Sequence, residues 1–186
     1  MPSIPDLAER LGDGRVELRL AAERDIPEIL IAHQDDRQLY DRLGLERPPS
    51  GAELGRAAEL ADAEREAGTR VELTILEPGS DDCRGRIVVH DLDWEQGQAE
   101  LDVWLTPQLR GRGLGRGALK LAAQWLFVAC GLRRLELLTE TDNAAMMRAA
   151  RAAGFVNEGV RRVYTDERGA RVEEVAWALS SSAAAG

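Results

Sequence analysis

Two neighbouring stretches, Ala99-Glu-Leu-Asp-Val-Trp-Leu105 and Arg110-Gly-Arg-Gly-Leu-Gly-Arg-Gly117, decide how this 186-residue chain folds. The first alternates with period two and reads as a strand. The second places four glycines in seven residues, interleaved with arginines. A helix over 114–129 follows, with Ala118, Leu121, Ala122, Trp125 and Val128 on one stripe and Gly131 closing it. Arg134–Glu140 is again a strand. Strand, helix and strand in that order make a parallel crossover. It is the one obvious unit of that kind in the chain.

Outward from it the pattern changes. Val16–Leu20, Val71–Leu76 and Arg86–His90 alternate as strands, and short turns at 77–82 and 93–97 join the later ones to 99–105 as an antiparallel meander. Arg24–His33 and Ala52–Ala67 read as helices, as does Asp142–Ala152, which stops at Gly154. Strands at Val156–Tyr164 and Val172–Leu179 flank a turn at Glu167-Arg168-Gly169. The expected fold is α/β (α+β), a mixed and mostly antiparallel twisted sheet of about seven strands with helices on both faces. One domain spans 15–179. Residues 1–14 are expected as a flexible segment with at most a short amphipathic turn, and 180–186 as a disordered tail.

Composition narrows the partners. Lys and Arg total 24 against 33 Asp and Glu, a formal charge of −9. That argues against nucleic acid or an anionic membrane, which want clustered cations, and it suits a cationic substrate. Two cysteines and two histidines give neither a disulfide framework nor a metal-ligand cluster. No signal peptide or membrane span is visible, so a cytoplasmic protein is expected.

The glycine loop stands between a strand and a helix. Glycines let the backbone approach a ligand and aim several N–H groups at it, and the helix start adds positive field, so a phosphate or pyrophosphate fits. Arg110, Arg112 and Arg116 add mobile cations. A Walker loop fails, because Arg116-Gly117 follows Gly115 where Lys and Ser or Thr are needed. A dinucleotide fingerprint is present only in spacing, over Gly113–Ala118, and residues 106–112 separate it from its strand. A nicotinamide-binding protein stays open on that spacing.

Arg110-x-x-Gly113-x-Gly115 resembles the acetyl-CoA loop, Q/R-x-x-G-x-G/A, of the GCN5-related N-acetyltransferases. Residues 99–105 are similar to the A-E-L-G-Y-W-L strand of the RimJ/RimL-like, ribosomal-protein alanine acetyltransferase branch. Asp142-Asn143, Ala153-Gly-Phe155 and Glu158-Gly159 are similar to that branch's D-N…G-F…E-G segment. Leu18-Arg-Leu20 with Asp25 resembles its beginning, so the likeness spans about 16–179. It implies acetyl-CoA as cofactor, with the pyrophosphate on the N–H groups of Gly111, Arg112, Gly113, Leu114, Gly115 and Arg116. It also implies a splay between the fourth and fifth expected strands, where the pantetheine arm lies beside Val103 and Leu105. One N–H there serves as oxyanion donor. Asn143 matches a position that often contacts the cofactor, and it equally suits the cap of the following helix.

The implied reaction is direct attack of a primary amine, on a protein N-terminus or a small molecule, on the thioester. An alkyl amine is mostly protonated at neutral pH, so a base helps. Glu100 and Asp102 project from the strand beside the splay, on the face opposite Ala99, Leu101, Val103 and Leu105. Glu100 is the first choice. Asp102 stands where the branch usually has glycine, and Glu140 is a third carboxylate. The acid is less evident, since Met146 and Ala150 stand where family members place Ser and Tyr. Tyr164 or Tyr40 substitutes only where the fold brings it to the sulfur. His33, Asp35, Asp36 and Tyr40 fall on the acceptor side. The expected partner is a small-molecule or peptide amine, with a homodimer admitted and no nucleic acid or membrane. A non-catalytic acyl-CoA-binding module is the alternative that the missing acids keep open.

Overall fold

Alternating apolar residues build the sheet, and short turns set its order. The computed structural model describes residues 3–36, 38–166 and 169–184. Eight strands form one sheet there: β1 (Leu11–Gly12), β2 (Glu17–Leu20), β3 (Val71–Leu76), β4 (Gly85–Asp93), β5 (Gln98–Leu105), β6 (Arg134–Glu140), β7 (Val156–Thr165) and β8 (Arg171–Ser180). They lie in the order β1-β2-β3-β4-β5-β6-β8-β7. Every neighbouring pair is antiparallel except β5 and β6, the pair closed by the crossover. The helices are α1 (Ile26–Asp35), α2 (Leu39–Arg42), α3 (Gly51–Glu66), α4 (Leu114–Ala129), α5 (Ala144–Ala153) and the turn α6 (Ser181–Ala184). None is long and apolar enough to cross a membrane among the described residues.

The sheet is covered on both faces. Leu18, Leu73, Ile75, Ile87 and Leu101 point to one side, where Ala118, Leu119, Ala122 and Leu126 of α4 and Ala150 and Ala153 of α5 seal the main core. On the other side α1 and α2 bring Ile29, Ala32 and Leu39 onto Cys83 and Trp104 in a smaller cluster. Trp104 shares the face of Glu100 and Asp102, yet it is buried because these helices roof the far end of β5.

Three details differ from the sequence reading. The first is the stretch before residue 15, which carries more than a turn. Leu11 and Gly12 pair with Leu18 and Glu17, and buried Ile4 donates its N–H to Arg65 O at 3.1 Å. Asp13 accepts the N–H groups of Arg15 and Val16, and Gly14 turns with φ 82°, so Asp-Gly makes the hairpin. A two-residue strand is too short for alternation to show. The second detail is Val128, expected on the buried stripe of α4 but 81% exposed. It lies about 120° around the helix from Ala122, and Leu119 and Leu126 take the core side instead. The third is the tail. Ser180 closes β8, and Ser181 starts α6 by donating its N–H to Arg133 O at 2.9 Å. Glu167 and Arg168 of the expected turn, and residues 185–186, lie outside the described residues.

Candidate active site

β5 and β6 pair only at Gln98↔Arg134, Ala99↔Leu135 and Glu100↔Glu136. Beyond Glu100 each strand follows its own antiparallel partner. β5 stays in register with β4 as far as Gly85↔Leu105, and β6 stays with β8 as far as Glu140↔Glu174. The sheet therefore opens between them. Thr106 donates its N–H to Arg84 O on the β4 side at 2.9 Å. Alternation then turns the N–H and C=O groups of Val103 and Leu105 toward the gap, where no strand meets them. The gap is a cleft of about 350 Å³ that passes from one face of the sheet to the other.

The start of α4 forms one mouth of the cleft. Gly113 caps the helix with φ 83° and ψ 0°, a conformation that L side chains seldom adopt. The first N–H groups of α4 have no acceptor within the helix and point out of its end. Gly115 serves closeness instead: a Cβ there would stand 3.3 Å from Leu105 Cδ1. Val103, Leu105, Arg110, Gly111, Gly113, Leu114, Gly115, Arg116 and Asn143 all line the cleft. Asn143 lines the cleft, and its side chain accepts the Met146 N–H at 3.2 Å as the cap of α5.

The three arginines part company. Arg116 lies on the cleft wall. Arg110 spans the mouth, donating from Nε to Leu105 O at 3.0 Å and pairing with Asp36 through Nη2. Arg112 is drawn to Glu77, with Nη2 3.0 Å from Oε1, and is not among the lining residues.

The far mouth is acidic. Asp36, Asp102, Glu140 and Glu174 line it together with Arg42, and Leu39, Leu43 and Leu138 supply apolar wall. Glu140 and Glu174 stand opposite each other in the β6–β8 ladder. Burial, with Asp142 adding to it, pushes the Glu140 carboxyl above its ordinary value. Glu174 Oε2 is buried without a hydrogen bond, and Arg162 Nη1 is 3.8 Å away.

Glu100 sits at the last paired position, just beneath the cleft wall and not on it. It makes no hydrogen bond or ion pair among the described residues. Burial pushes its carboxyl up; His90 and Arg162 oppose this, and Asp102 and Asp91 reinforce it. Asp102 is on the wall, with Oδ2 3.1 Å from His90 Nε2. Tyr164 is not brought to the cleft. Its 41% exposed ring lies on β7, and its hydroxyl donates to Glu140 Oε1 over 3.4 Å. His33 packs into the small cluster's helix as a buried side chain, and neither His33 nor Tyr40 lines the cleft. Glu174, Arg42 and His90 were missed in the sequence. Only strand register places the first and third beside the others, and α2 is a single turn of four residues.

A long ligand with a doubly charged head suits this cleft. The helix start takes the head, the unpaired edge of β5 takes an amide-bearing arm, and open space lies where a Gly113 side chain would be. A dinucleotide suits it less, because the turn at Pro107–Leu109 and the arginine loop separate strand from helix, and among the described residues only the β5–β6 pair is parallel.

Residues 15–156 match the family model for the acetyltransferase (GNAT) domain. Over 152 residues the chain is 25% identical to "Putative ribosomal N-acetyltransferase YdaF" of Bacillus subtilis (strain 168), covering 79% of this chain and 81% of that one. Two solved structures share the fold. The ribosomal L7/L12 alpha-N-protein acetyltransferase RimL, in complex with coenzyme A, superposes with a TM-score of 0.80 at 19% identity, over 92% of this chain and 98% of that one. Spermidine N-acetyltransferase from Vibrio cholerae, in complex with CoA and spermine, gives 0.76 at 18% identity, over 94% and 100%. With the opened sheet, the glycine-capped helix and the family match agreeing along the chain, the protein belongs to the GNAT acetyltransferases, enzymes that draw their acetyl group from acetyl-CoA.

Proposed function

We propose that the enzyme acetylates a primary amine, either a protein N-terminus or a small cationic molecule, by direct attack of that amine on the thioester. The carrying observation is the through-going gap between β5 and β6. It joins a mouth built for an anionic head to a mouth lined by Asp36, Asp102, Glu140 and Glu174. Donor and acceptor can then meet from opposite faces. Relatives named for ribosomal proteins and for spermidine fit an acceptor of this charge.

Acetyl-CoA when bound supplies the electrophilic thioester carbonyl. The chain's residues do the rest. N–H groups at the start of α4 hold the diphosphate, and Arg116 adds charge. A gap-facing N–H of Val103 or Leu105 polarises the carbonyl oxygen. Asp102 and Glu140 hold the arriving ammonium, and Glu100 takes its proton through a water, since its carboxylate lies one residue below the wall. Tyr164 contributes through Glu140 rather than at the sulfur, so the thiolate leaves toward solvent without a dedicated acid.

A thiol-release assay over a panel of amines tests the activity, and acceptor-dependent free thiol is expected. Coenzyme A binding with silence toward every amine would favour the non-catalytic binding module. For the base, Glu100→Gln should lower kcat about a hundredfold, the lower range for general-base loss. The base works ionised, so wild-type activity falls as the pH drops through the raised value of Glu100. That limb should vanish in the variant. A wild-type kcat and an intact limb in E100Q would move the role to Glu140.

A further inference from the structure

His90 has no part in the mechanism above, yet it touches a residue of the acceptor wall. It lies on β4 just before a register shift, with its side chain 21% exposed, directly across the ladder from Glu100. Both ring nitrogens face carboxylates: Nδ1 is 3.1 Å from Asp91 Oδ2, and Nε2 is 3.1 Å from Asp102 Oδ2. Asp91 holds a left-handed backbone with φ 48°, which an aspartate tolerates better than most residues. Asp102 is shared, being both the partner of the ring and part of the cleft lining.

We propose that His90 is a positioning residue whose charge sets how strongly Asp102 holds the incoming cationic amine, so that acceptor affinity depends on pH. This rests on the acetyl-transfer reading above and goes one step further, to the group that tunes the acceptor subsite. The chemistry follows from the two contacts. An imidazolium carries an N–H on each nitrogen: Nδ1 donates to Asp91, while Nε2, buried and outside hydrogen-bond geometry, holds Asp102 by charge at 3.1 Å. A neutral ring carries one N–H, and its other lone pair then faces an anion. The charged form is therefore favoured. The Asp102 contact raises the imidazole above its ordinary value, burial opposes, and Asp91 and Glu100 add to the rise.

While charged, the ring offsets the charge of Asp102, so an ammonium meets a carboxylate whose field is already part neutralised. Once neutral, the ring leaves Asp102 a full negative charge at the wall. By linkage, an amine bound there eases proton loss from His90 by the same factor.

The other charges around the ring are committed elsewhere. Arg162 of β7 acts on Glu100 and lies 3.8 Å from Glu174. Glu136 of β6 is paired with Arg134 and Arg161. On the β3 side Arg70 is bonded to Glu72, which also holds Arg86. Among the described residues, Asp91, Glu100 and Asp102 are thus the groups left to respond to His90.

The test uses the full chain and has two arms. The chain has two histidines, His33 and His90, so its imidazole Cε1–H NMR signals are two and H90Q assigns them. His90 should titrate above the ordinary value near 6.5, and D102N should move its midpoint down. In the kinetic arm, with saturating acetyl-CoA and whichever panel amine turns over, the amine's KM should fall about tenfold as pH rises through that midpoint. The amine stays protonated over this range, so its own charge does not change. H90Q keeps a donor toward Asp102 but cannot titrate, so its KM should be flat with pH while the Glu100 limb in kcat persists. A His90 midpoint indifferent to D102N, or a KM profile in H90Q that tracks wild type, overturns the inference and leaves acetyl transfer standing. Absence of turnover with every amine sinks both.

Discussion

Gly113→Val should lose about a hundredfold in coenzyme A affinity, measured by calorimetric titration, while the chain still folds. The residue caps α4 at φ 83°, and a Cβ there would meet no protein atom within 4 Å. The substitution thus faces no clash, only a backbone conformation that costs an L-residue about 1–2 kcal/mol. The chain relieves that cost by rotating the peptides on either side, which turns the N–H groups at the start of α4 away from their common focus. Hydrogen bonds to a charged group contribute about 1.5–3 kcal/mol each, so losing one or two accounts for the hundredfold. The new side chain also projects into the space from which the ligand approaches. Gly117→Val is the contrasting control. Its Cβ would stand 2.7 Å from Val16 Cγ1, so it should cost about 1–3 kcal/mol of stability through overpacking. Valine at 113 that binds coenzyme A as tightly as glycine would take the loop out of the mechanism.

That contrast shows what the sequence could and could not express. Glycines 113 and 117 look alike in Arg110–Gly117, yet one serves the ligand side and the other serves the packing of α4 on the strand region at Val16. The bounds of β3, β6 and α4 fall where alternation and helical spacing place them, because each run is long and ends at a glycine or a turn. β1 was invisible, since two residues have no period. The cleft itself is a non-local consequence of register: β5 keeps to β4 and β6 keeps to β8, and no residue within either strand announces the divergence. Glu174 joins the acceptor wall only because it falls opposite Glu140, and His90 meets Asp102 only across the β4–β5 ladder. Tyr164 was tied to the chemistry by residue type alone, and the strand that carries it lies at the sheet edge, two places from β6.

Asp25→Ala should destabilise the fold by about 3–5 kcal/mol, the cost of removing one partner from a buried ion pair. Asp25 is 1% exposed and Arg19 is 8% exposed. Arg19 grips the carboxylate with both terminal nitrogens, Thr74 donates its hydroxyl to it, and the Ala22 N–H reaches it at 3.0 Å. One side chain therefore ties β2, β3 and the turn that starts α1. Alanine would leave the buried Arg19 with two backbone carbonyls and the exposed Asp81 carboxylate 3.8 Å from Nε, and leave two further donors short of an acceptor. For a domain of this size the melting temperature should drop by about 10 °C. Burial pushes the Asp25 carboxyl up, but the bonds from Arg19, Thr74 and Ala22 outweigh it and hold the group below its ordinary range. Its contribution is then complete above the unfolded carboxyl value near 3.9 and fades as pH falls through the lower folded value. The stability gap between wild type and D25N should close over that acid window and stay constant above it. The effect reaches function through α1 and α2, which Asp25 anchors and which carry Asp36, Leu39 and Arg42 to the acceptor mouth. In D25N the KM for the amine should rise more than the KM for acetyl-CoA, whose loop stands on α4 across the sheet. A D25A protein that melts within about 1 kcal/mol of wild type, or a D25N protein with both constants raised alike, would separate this pair from the acceptor wall.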